Sequence, residues 1–151
     1  MNFSWSSSQP VSNNNNNNNN NSNINFINVS EKYRELTESF CNHFYNQYDG
    51  NFPELGNLFL NDTKITYLDE ELTGFNQLFE RIKGYNIYNF KHHKLDVNSQ
   101  PVGQRTLLLT INGKISINNS FELHRFVETI LLQRDDNNQF YIHNYIFKLM
   151  E

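Results

Sequence analysis

The apolar residues in the first half of the chain recur at helical spacing. From position 33 onward they follow one another at intervals of three and four residues, in the order Tyr33, Leu36, Phe40, Phe44 and Tyr48. Such residues share one face of a helix. Ser30 offers an N-cap oxygen before this stripe, and Asp49-Gly50 offers a left-handed cap after it. The pattern predicts an amphipathic helix from Ser30 to about Gly50.

Two shorter helices are predicted next. Pro53 suits the first position of a helix that runs through Leu55, Leu58 and Phe59. Asn61-Asp62 then predicts a turn, and residues 64–67 a short strand. A third helix is predicted over residues 74–82, with its inward residues at helical spacing and Gly84 at its end.

The period then changes from helical to two. Alternating patterns predict four strands, at about Tyr88–Val97, Arg105–Ile117, Glu122–Gln133 and Phe140–Leu149. Helices that precede strands in this way indicate the α+β class, with the helices packed on one face of an antiparallel sheet.

The Asn112-Gly113 pair normally marks a two-residue hairpin. Here a hairpin would place Lys114 opposite Ile111 on the apolar face. One unbroken strand instead keeps the apolar residues together, namely Leu107, Leu109, Ile111, Ile115 and Ile117. We therefore predict a single long strand, in which Gly113 is a bulge or bend that curves the sheet.

The last strand carries apolar residues on both faces. Strict alternation puts Tyr141, Tyr145 and Phe147 on one face, and Phe140, Ile142 and Ile146 on the other. An antiparallel sheet with helices on one side normally leaves its second face polar. A partner sheet that covers the second face is the simplest explanation, so the pattern predicts a homodimer.

Composition separates this domain from a tail. The 151 residues suffice for one domain, which we place at 30–151. Residues 1–29 are rich in Ser and Asn, with an unbroken Asn run from Asn13 to Asn21, and we expect them to be disordered. Either the tail self-associates, with Phe3 and Trp5 as adhesive residues, or it has no role.

Charge and cysteine content restrict the function classes. The net charge of −4 disfavours direct nucleic-acid binding, which needs clustered Lys and Arg. The single cysteine, Cys41, excludes an internal disulfide and indicates a reducing compartment; we expect it to be inert and partly buried. The apolar runs are too short to span a bilayer, and no signal peptide is recognisable. We expect a soluble intracellular protein.

From Glu31 to Glu151 the chain resembles the nuclear transport factor 2 domain family. The helix with Phe40-Cys41-Asn42-His43-Phe44-Tyr45 is similar to the first helix of that family. The most specific stretches are Arg125 to Leu132 and Phe140 to Phe147, which look most like the domain of the stress-granule scaffolds that bind the Ras GTPase-activating protein. The resemblance implies a cone of three helices on a curved antiparallel sheet, which dimerises through the sheet face, and a non-enzymatic binding role.

The resemblance also implies binding residues. Tyr33 corresponds to the aromatic that grips Phe-Gly repeats of nucleoporins, and Phe40, Phe59 and Phe140 to the groove for short Phe-containing peptides. Phe40 and Phe59 are equally well explained as core residues at helical spacing. The dimer face would contain Tyr141, His143 and Tyr145.

A GTPase-partner surface would contain Tyr67, Asp69 and Glu70. The family's carboxylates for the Ran GTPase are largely replaced, because Leu68 follows Tyr67 and the later loop carries Asn118, Asn119 and Ser120. An amide does not replace a charge at an interface, so we do not expect Ran binding.

We accordingly expect an adaptor in protein import or mRNA export, located in cytoplasm and nucleus, including the nuclear envelope and pore. Its partners would be Phe-Gly nucleoporins or Phe-motif peptides, either as a homodimer or as a heterodimer with an export receptor. One alternative is a peptide-binding dimer module of ribonucleoprotein or stress granules.

A second alternative is an enzyme of the isomerase or cyclase type, since related cones house such enzymes. The candidate residues would be His92, His93, Asp96, His124 and His143. Neighbouring strand residues point to opposite faces, so His92 and His93 do not share a pocket. No third ligand of suitable spacing joins His124 and His143, so we expect no metal and no cofactor.

Overall fold

The computed structural model describes residues 3–5 and 25–150. Along the chain the elements are α1 Val29–Gly50, the 3-10 helix η1 Phe52–Leu58, β1 Phe59–Tyr67, β2 Glu70–Thr73, α2 Phe75–Gly84, β3 Phe90–Val102, β4 Thr106–Ile117, β5 His124–Arg134 and β6 Phe140–Met150. Disorder was predicted for residues 1–29, and positions 1–2 and 6–24 of that tail lie outside the described residues.

The N-cap of helix α1 lies two residues earlier than predicted. Its N-cap is Asn28, whose side chain accepts a hydrogen bond from the Ser30 backbone N–H, so Ser30 is not the cap. The apolar stripe is buried as expected, with Leu36, Phe40 and Phe44 fully inaccessible to solvent. The helix packs mainly against β3.

Within the described residues, six strands form one sheet in the order β2-β1-β6-β5-β4-β3. All neighbouring pairs are antiparallel except β1 and β6, which run parallel. The sheet and the three helices confirm the predicted α+β architecture. Strand β2 is an addition that the sequence pattern did not indicate.

The β1–β2 hairpin turns at Leu68 and Asp69, both of which have positive φ angles of 51° and 69°. A two-residue turn of this kind favours Gly and Asn, so Leu-Asp gave no turn signal. The predicted turn at Asn61-Asp62 is wrong, because both residues lie inside β1. They fall where the pairing of β1 with β6 slips between Phe59 and Lys64.

Strand β4 runs unbroken through Asn112-Gly113, as predicted, and it pairs continuously with β5. The bulge lies not at Gly113 but across from it in β3, between His93 and Asp96, where Lys94 has φ 49°. A Cβ on Gly113 would lie 3.0 Å from the His93 carbonyl oxygen and 3.1 Å from that of Lys94. Glycine avoids these tight contacts and so favours the close approach of the bulge to β4.

A second irregularity corrects the predicted faces of β6. Leu131 pairs with Asn144 and Leu132 with Ile142, so His143 is an extra residue that β5 does not match. The alternation changes phase there, and Tyr145 and Phe147 join Phe140 and Ile142 on the core side. Tyr145 is 1% exposed and is not part of the outer face, contrary to the prediction; Ile146, 48% exposed, occupies that face instead.

Along the described ranges, no helix combines the length and apolar character needed to cross a membrane.

Candidate functional site

Aromatic side chains of α1 and β6 form the first candidate site. Phe40 and His43 lie one helical turn apart on α1, with Ser39 beside Phe40, and Phe140 opens β6. We call these four residues the aromatic groove. Phe40 and Phe140 are buried, at 0% and 3% exposure, while Ser39 and His43 are half-buried at the rim.

Trp5, from the beginning of the chain, fills this groove. Its ring stacks on His43, with centroids 5.8 Å apart and planes 14° apart, and it meets the Phe40 ring edge-on at 5.7 Å. Its indole Nε1–H donates a 2.9 Å hydrogen bond to Ser39 Oγ. Burial lowers the pKa of His43, which favours the neutral imidazole under the indole. Both the apolar ring and the polar N–H of Trp5 are thus accommodated.

Phe3 contributes a second ring at the same place. It meets Phe140 edge-on with centroids 6.1 Å apart, and Trp5 lies 6.0 Å from the same Phe140 ring. A neighbouring cavity of about 620 Å³ continues along α1 and is bordered by Phe3 and by the acidic residues Glu35 and Glu38. The aromatic groove therefore receives two aromatic rings and has further open surface at one side.

The four residues predicted to bind Phe-containing motifs do not all meet. Phe40 and Phe140 belong to the aromatic groove, whereas Phe59 packs on Phe75 at 5.3 Å and on Tyr145 at 5.8 Å. Phe59 instead borders a separate cavity of about 650 Å³ between η1, β1 and α2. Tyr33 is half-buried on α1, with the Arg34 guanidinium 4.9 Å from its ring centre.

A buried carboxyl group forms the second candidate site. Glu128 on β5 is 1% exposed, and the hydroxyls of Tyr45 and Tyr145 each donate a hydrogen bond to one of its oxygens. Nearby, the hydroxyls of Tyr48 and Tyr67 are 3.0 Å apart. Burial raises the pKa of Glu128, and the neighbouring His92 and the two tyrosine donors oppose this effect. Burial and Glu128 likewise raise the pKa values of Tyr45 and Tyr145.

His92 covers this cluster from β3. Its Nδ1 lies 2.6 Å from Asp49 Oδ1, and its backbone N–H donates to Asp49 Oδ2 at 3.0 Å. The imidazole packs against the rings of Tyr45, Tyr48 and Phe126 at 4.6 to 5.3 Å, which leaves its side chain 1% exposed. The cavity nearest to Asp49, of about 380 Å³, is not lined by Glu128 or His92. A general acid must reach its substrate, and Glu128 is only 1% exposed.

The other residues considered for catalysis or metal binding are dispersed. His93 Nε2 lies 3.4 Å from Ser116 Oγ, His124 Nε2 lies 4.0 Å from Glu122, and exposed His143 contacts Asn144. Across residues 3–5 and 25–150, no three His, Cys, Asp or Glu side chains gather in a way that would hold a metal ion. Cys41 is half-buried, and burial together with Glu128 raises its pKa to about 12.

The nuclear transport factor 2 (NTF2) domain model matches residues 36–149 of the chain. The chain belongs to this family. Nuclear transport factor 2 of Candida albicans is 26% identical over 122 residues, which span 80% of this chain and 98% of the relative.

Solved structures share the fold of this NTF2 domain. Nuclear transport factor 2 of Cryptosporidium parvum superposes with a TM-score of 0.73 at 22% identity, covering 82% of this chain and 99% of the other. The yeast Ubp3-associated protein Bre5 gives a TM-score of 0.63 at 16% identity, with 79% and 97% covered. Enzymes share the fold as well: a putative scytalone dehydratase of Novosphingobium aromaticivorans gives 0.63 at 14% identity, with 82% and 87% covered.

Of the three residues predicted to form a surface for a GTPase partner, one is buried and two lie at the surface of this NTF2 domain. Tyr67 is 1% exposed and points into the core, which corrects its assignment to a surface. Asp69 is exposed at the hairpin turn, where its Oδ1 lies 3.7 Å from Lys148 Nζ. Glu70 accepts a hydrogen bond from the Tyr85 hydroxyl at 2.7 Å and pairs with Arg81 at 2.7 Å. Only the two carboxylates remain accessible to a partner.

The outer face of the NTF2 domain's sheet carries the other predicted interface. Tyr141 is half-buried and His143 is exposed. Val127 and Ile146 lie on the two central strands of this face and are 36% and 48% exposed. Leu131 and Leu108, which pair across β5 and β4, are half-buried beside them. The face is apolar at its centre and charged at Arg125 and Lys148.

Sequence reasoning missed two features of these sites. Glu128 stands between the buried residues Phe126 and Ile130 on the core side of β5, so its position in the alternating pattern did carry a signal. For Phe3 and Trp5 the sequence suggests only adhesive residues of a tail. No sequence pattern indicated their destination, because contacts more than 30 residues apart leave no local periodicity.

Proposed function

We propose that this chain is a non-enzymatic adaptor of nucleocytoplasmic transport that binds Phe-containing motifs through the aromatic groove. The observation that carries the proposal is the seating of two aromatic rings, Phe3 and Trp5, on Phe40 and Phe140. Aromatic pockets bind such motifs well because a phenyl ring buries a large area without polar demands. The relatives at about 26% identity that are named nuclear transport factor 2 support the transport assignment.

The partners that fit this role are Phe-Gly nucleoporins or other Phe-motif peptides, met in cytoplasm, nucleus and at the nuclear pore. We further propose that the outer sheet face joins two subunits, either two copies of this chain or this chain and an export receptor. Val127 and Ile146 give that face its apolar centre. Such an exposed apolar centre surrounded by polar residues is typical of protein interfaces.

Ran binding is not part of the proposal. A GTPase lysine would need unpaired carboxylates, whereas Glu70 already pairs with Arg81 and Asp69 Oδ1 lies 3.7 Å from Lys148 Nζ. The loop between β4 and β5 offers Asn118 and Asn119 in left-handed conformations, with amides in place of acids. Of these, Asn118 is further tied to the Tyr88 N–H and the Asn86 carbonyl oxygen.

The alternative is a peptide-binding module of ribonucleoprotein granules. The resemblance of Phe40 and Phe140 to the peptide groove of stress-granule scaffolds favours it. The Bre5 structure, named for its association with Ubp3, adds an NTF2-fold neighbour outside the transport factors. Both functions use the same groove, so they differ in the motif-bearing partner and not in the binding residues.

Tagged full-length chain, recovered from its own cell lysate, tests the proposal. Truncating Phe40 would cost about 3–5 kcal/mol of folding free energy because Phe40 is core. The groove variant should therefore be Ser39→Ala with His43→Ala, whose side chains are half-buried at the rim of a helix. The matched control is Glu80→Ala with Lys83→Ala, an exposed pair on α2.

Recovery of nucleoporins or an export receptor by wild type and control, and their loss from the groove variant, would support the transport proposal. Granule proteins that are lost in the same way would favour the alternative. If no partner depends on the rim residues, and a synthetic Phe-x-Phe-Gly peptide fails to bind purified protein, the groove is not a peptide site.

A further inference from the structure

The aromatic groove is occupied by residues of the same chain. We propose that Phe3-Ser4-Trp5 is an internal ligand of this groove, which an external aromatic motif must displace before it binds. This inference rests on the proposed function, since it assigns a regulatory segment to the same site. The internal ligand comprises residues 3–5.

The contacts of residues 3–5 are those of a bound peptide. Phe3 and Trp5 stand two residues apart, so in an extended segment their side chains project to the same side while Ser4 projects away. Ser4 is indeed exposed, and both rings are half-buried against the core. The 2.9 Å bond from the indole N–H to Ser39 Oγ satisfies the one polar group of the Trp5 side chain. The groove thus fits an aromatic-x-aromatic motif.

The other end of the tail is held beside the same groove. Asn138, in the turn before β6, accepts a hydrogen bond from the Ile27 N–H and donates one to the Asn25 carbonyl oxygen, both at 2.9 Å. Phe26 lies over the Arg134 guanidinium at 4.7 Å. Phe140, which Phe3 contacts, follows Asn138 by two residues. The contacts with Asn138 therefore hold the C-terminal end of the tail close to the groove that residues 3–5 occupy.

This attachment gives the internal ligand a high local concentration. Nineteen residues separate Trp5 from Asn25, and a chain of that length reaches at most about 60–70 Å. Short tethers of this kind give effective concentrations of about 1 mM. If the isolated motif binds with a Kd of about 0.1 mM, the groove is open about a tenth of the time. External motifs would then bind about tenfold more weakly than to an unoccupied groove.

Trp5 is the only tryptophan, so its fluorescence reports directly on docking. In full-length protein we expect an emission maximum that is blue-shifted from free tryptophan and protected from acrylamide quenching. Ser39→Ala with His43→Ala should shift the emission to the red. Phe121→Ala, which removes a fully exposed aromatic on the loop before β5, should leave it unchanged. Solvent-exposed emission from folded wild-type protein would overturn the inference.

Competition is measured with a labelled peptide of residues 2–9 and with a Phe-x-Phe-Gly peptide. Each is titrated by fluorescence anisotropy into full-length wild type and into the variant Phe3→Ala with Trp5→Ala. The variant should bind both peptides about tenfold more tightly. Both substitutions lie outside every helix and strand, so folding should be retained.

The outcomes separate the two proposals. Equal affinity of wild type and variant for both peptides would overturn the internal ligand and leave the peptide-binding function standing. No binding to either protein, with Trp5 docked, would refute the peptide-binding function and the competition together. An emission maximum that changes on dilution would show docking between copies and overturn the intramolecular arrangement.

Discussion

The Tyr145 hydroxyl donates a hydrogen bond to Glu128 inside the domain, where both side chains are 1% exposed. Tyr45 donates to the other carboxylate oxygen from α1, so one acid ties the helix to two strands of the sheet. A buried acid without a cationic partner in direct contact costs folding free energy when it ionises. This arrangement predicts a particular dependence of stability on pH.

Glu128→Gln should stabilise the protein at neutral pH, because glutamine carries no charge. Its amide oxygen accepts from one tyrosine hydroxyl, and its NH2 group donates to the other, as the protonated acid would. The pKa of Glu128 is raised from 4.5 by burial, so folding takes up a proton. The contribution of protonated Glu128 to the free energy of unfolding is fully present below pH 4.5. It is lost as the pH rises through the raised pKa of the folded state. The loss amounts to at most about 1.4 kcal/mol per pH unit.

Urea denaturation of wild type and Glu128→Gln between pH 4 and pH 8 measures this difference. The variant's advantage should be smallest at pH 4 and grow as pH rises. Subtracting the two curves cancels other acids, which both proteins share. A difference in unfolding free energy that stays constant over this range would contradict a raised pKa for Glu128.

Gly74→Ala should destabilise the domain by about 2 kcal/mol or more. Gly74 precedes α2 with φ 78°, and a Cβ there would lie 2.7 Å from the Asn61 carbonyl oxygen. Gly84→Ala is the matched control, because no atom lies within 4 Å of the place its Cβ would occupy and its φ is not positive. Thermal unfolding should show a clear loss for the first variant and none for the second. Equal melting temperatures would refute the close approach.

The helices and long strands were predictable because each carries several buried residues at its own period. Strand β2 was not, because four residues with one buried side chain, Leu72, carry no period. The face of Tyr145 was predicted wrongly because one extra residue, His143, reverses the alternation after it. A bulge is defined by the pairing of a strand with its neighbour, and the sequence of β6 alone does not reveal that pairing.

The grouping of the candidate site residues also depends on contacts between distant parts of the chain. Phe40 and Phe140 were identified through family resemblance, and the structure brings them together. Phe59 was grouped with them, yet packing against Phe75 on α2 places it beside another cavity. Tertiary packing decides such groupings, and residues that are far apart in sequence do not reveal it.

Cys41 should resist thiol reagents in the native protein. Only the thiolate reacts, and a pKa of about 12 leaves roughly one thiol in ten thousand ionised at pH 8. Labelling with Ellman's reagent should be slow in buffer and rapid and stoichiometric in denaturant, where the thiol regains its ordinary pKa. Rapid labelling of folded protein at pH 8 would contradict the raised pKa.

Ile146→Lys should convert a dimer into a monomer without unfolding it. The proposed dimer joins outer sheet faces, and Ile146 lies beside Thr129 at the centre of that face, where it is 48% exposed. A lysine there would place two like charges close together across a symmetric interface and bury them at a cost of several kcal/mol. Phe121→Lys is the control, since Phe121 is fully exposed and lies on the loop before β5, outside every strand. Sedimentation velocity should give a dimer for wild type and Phe121→Lys, and a folded monomer for Ile146→Lys.

A wild-type monomer at about 50 µM, a concentration well above the Kd of stable dimers, would rule out the homodimer. The heterodimer with an export receptor would then be the remaining proposed use of this face.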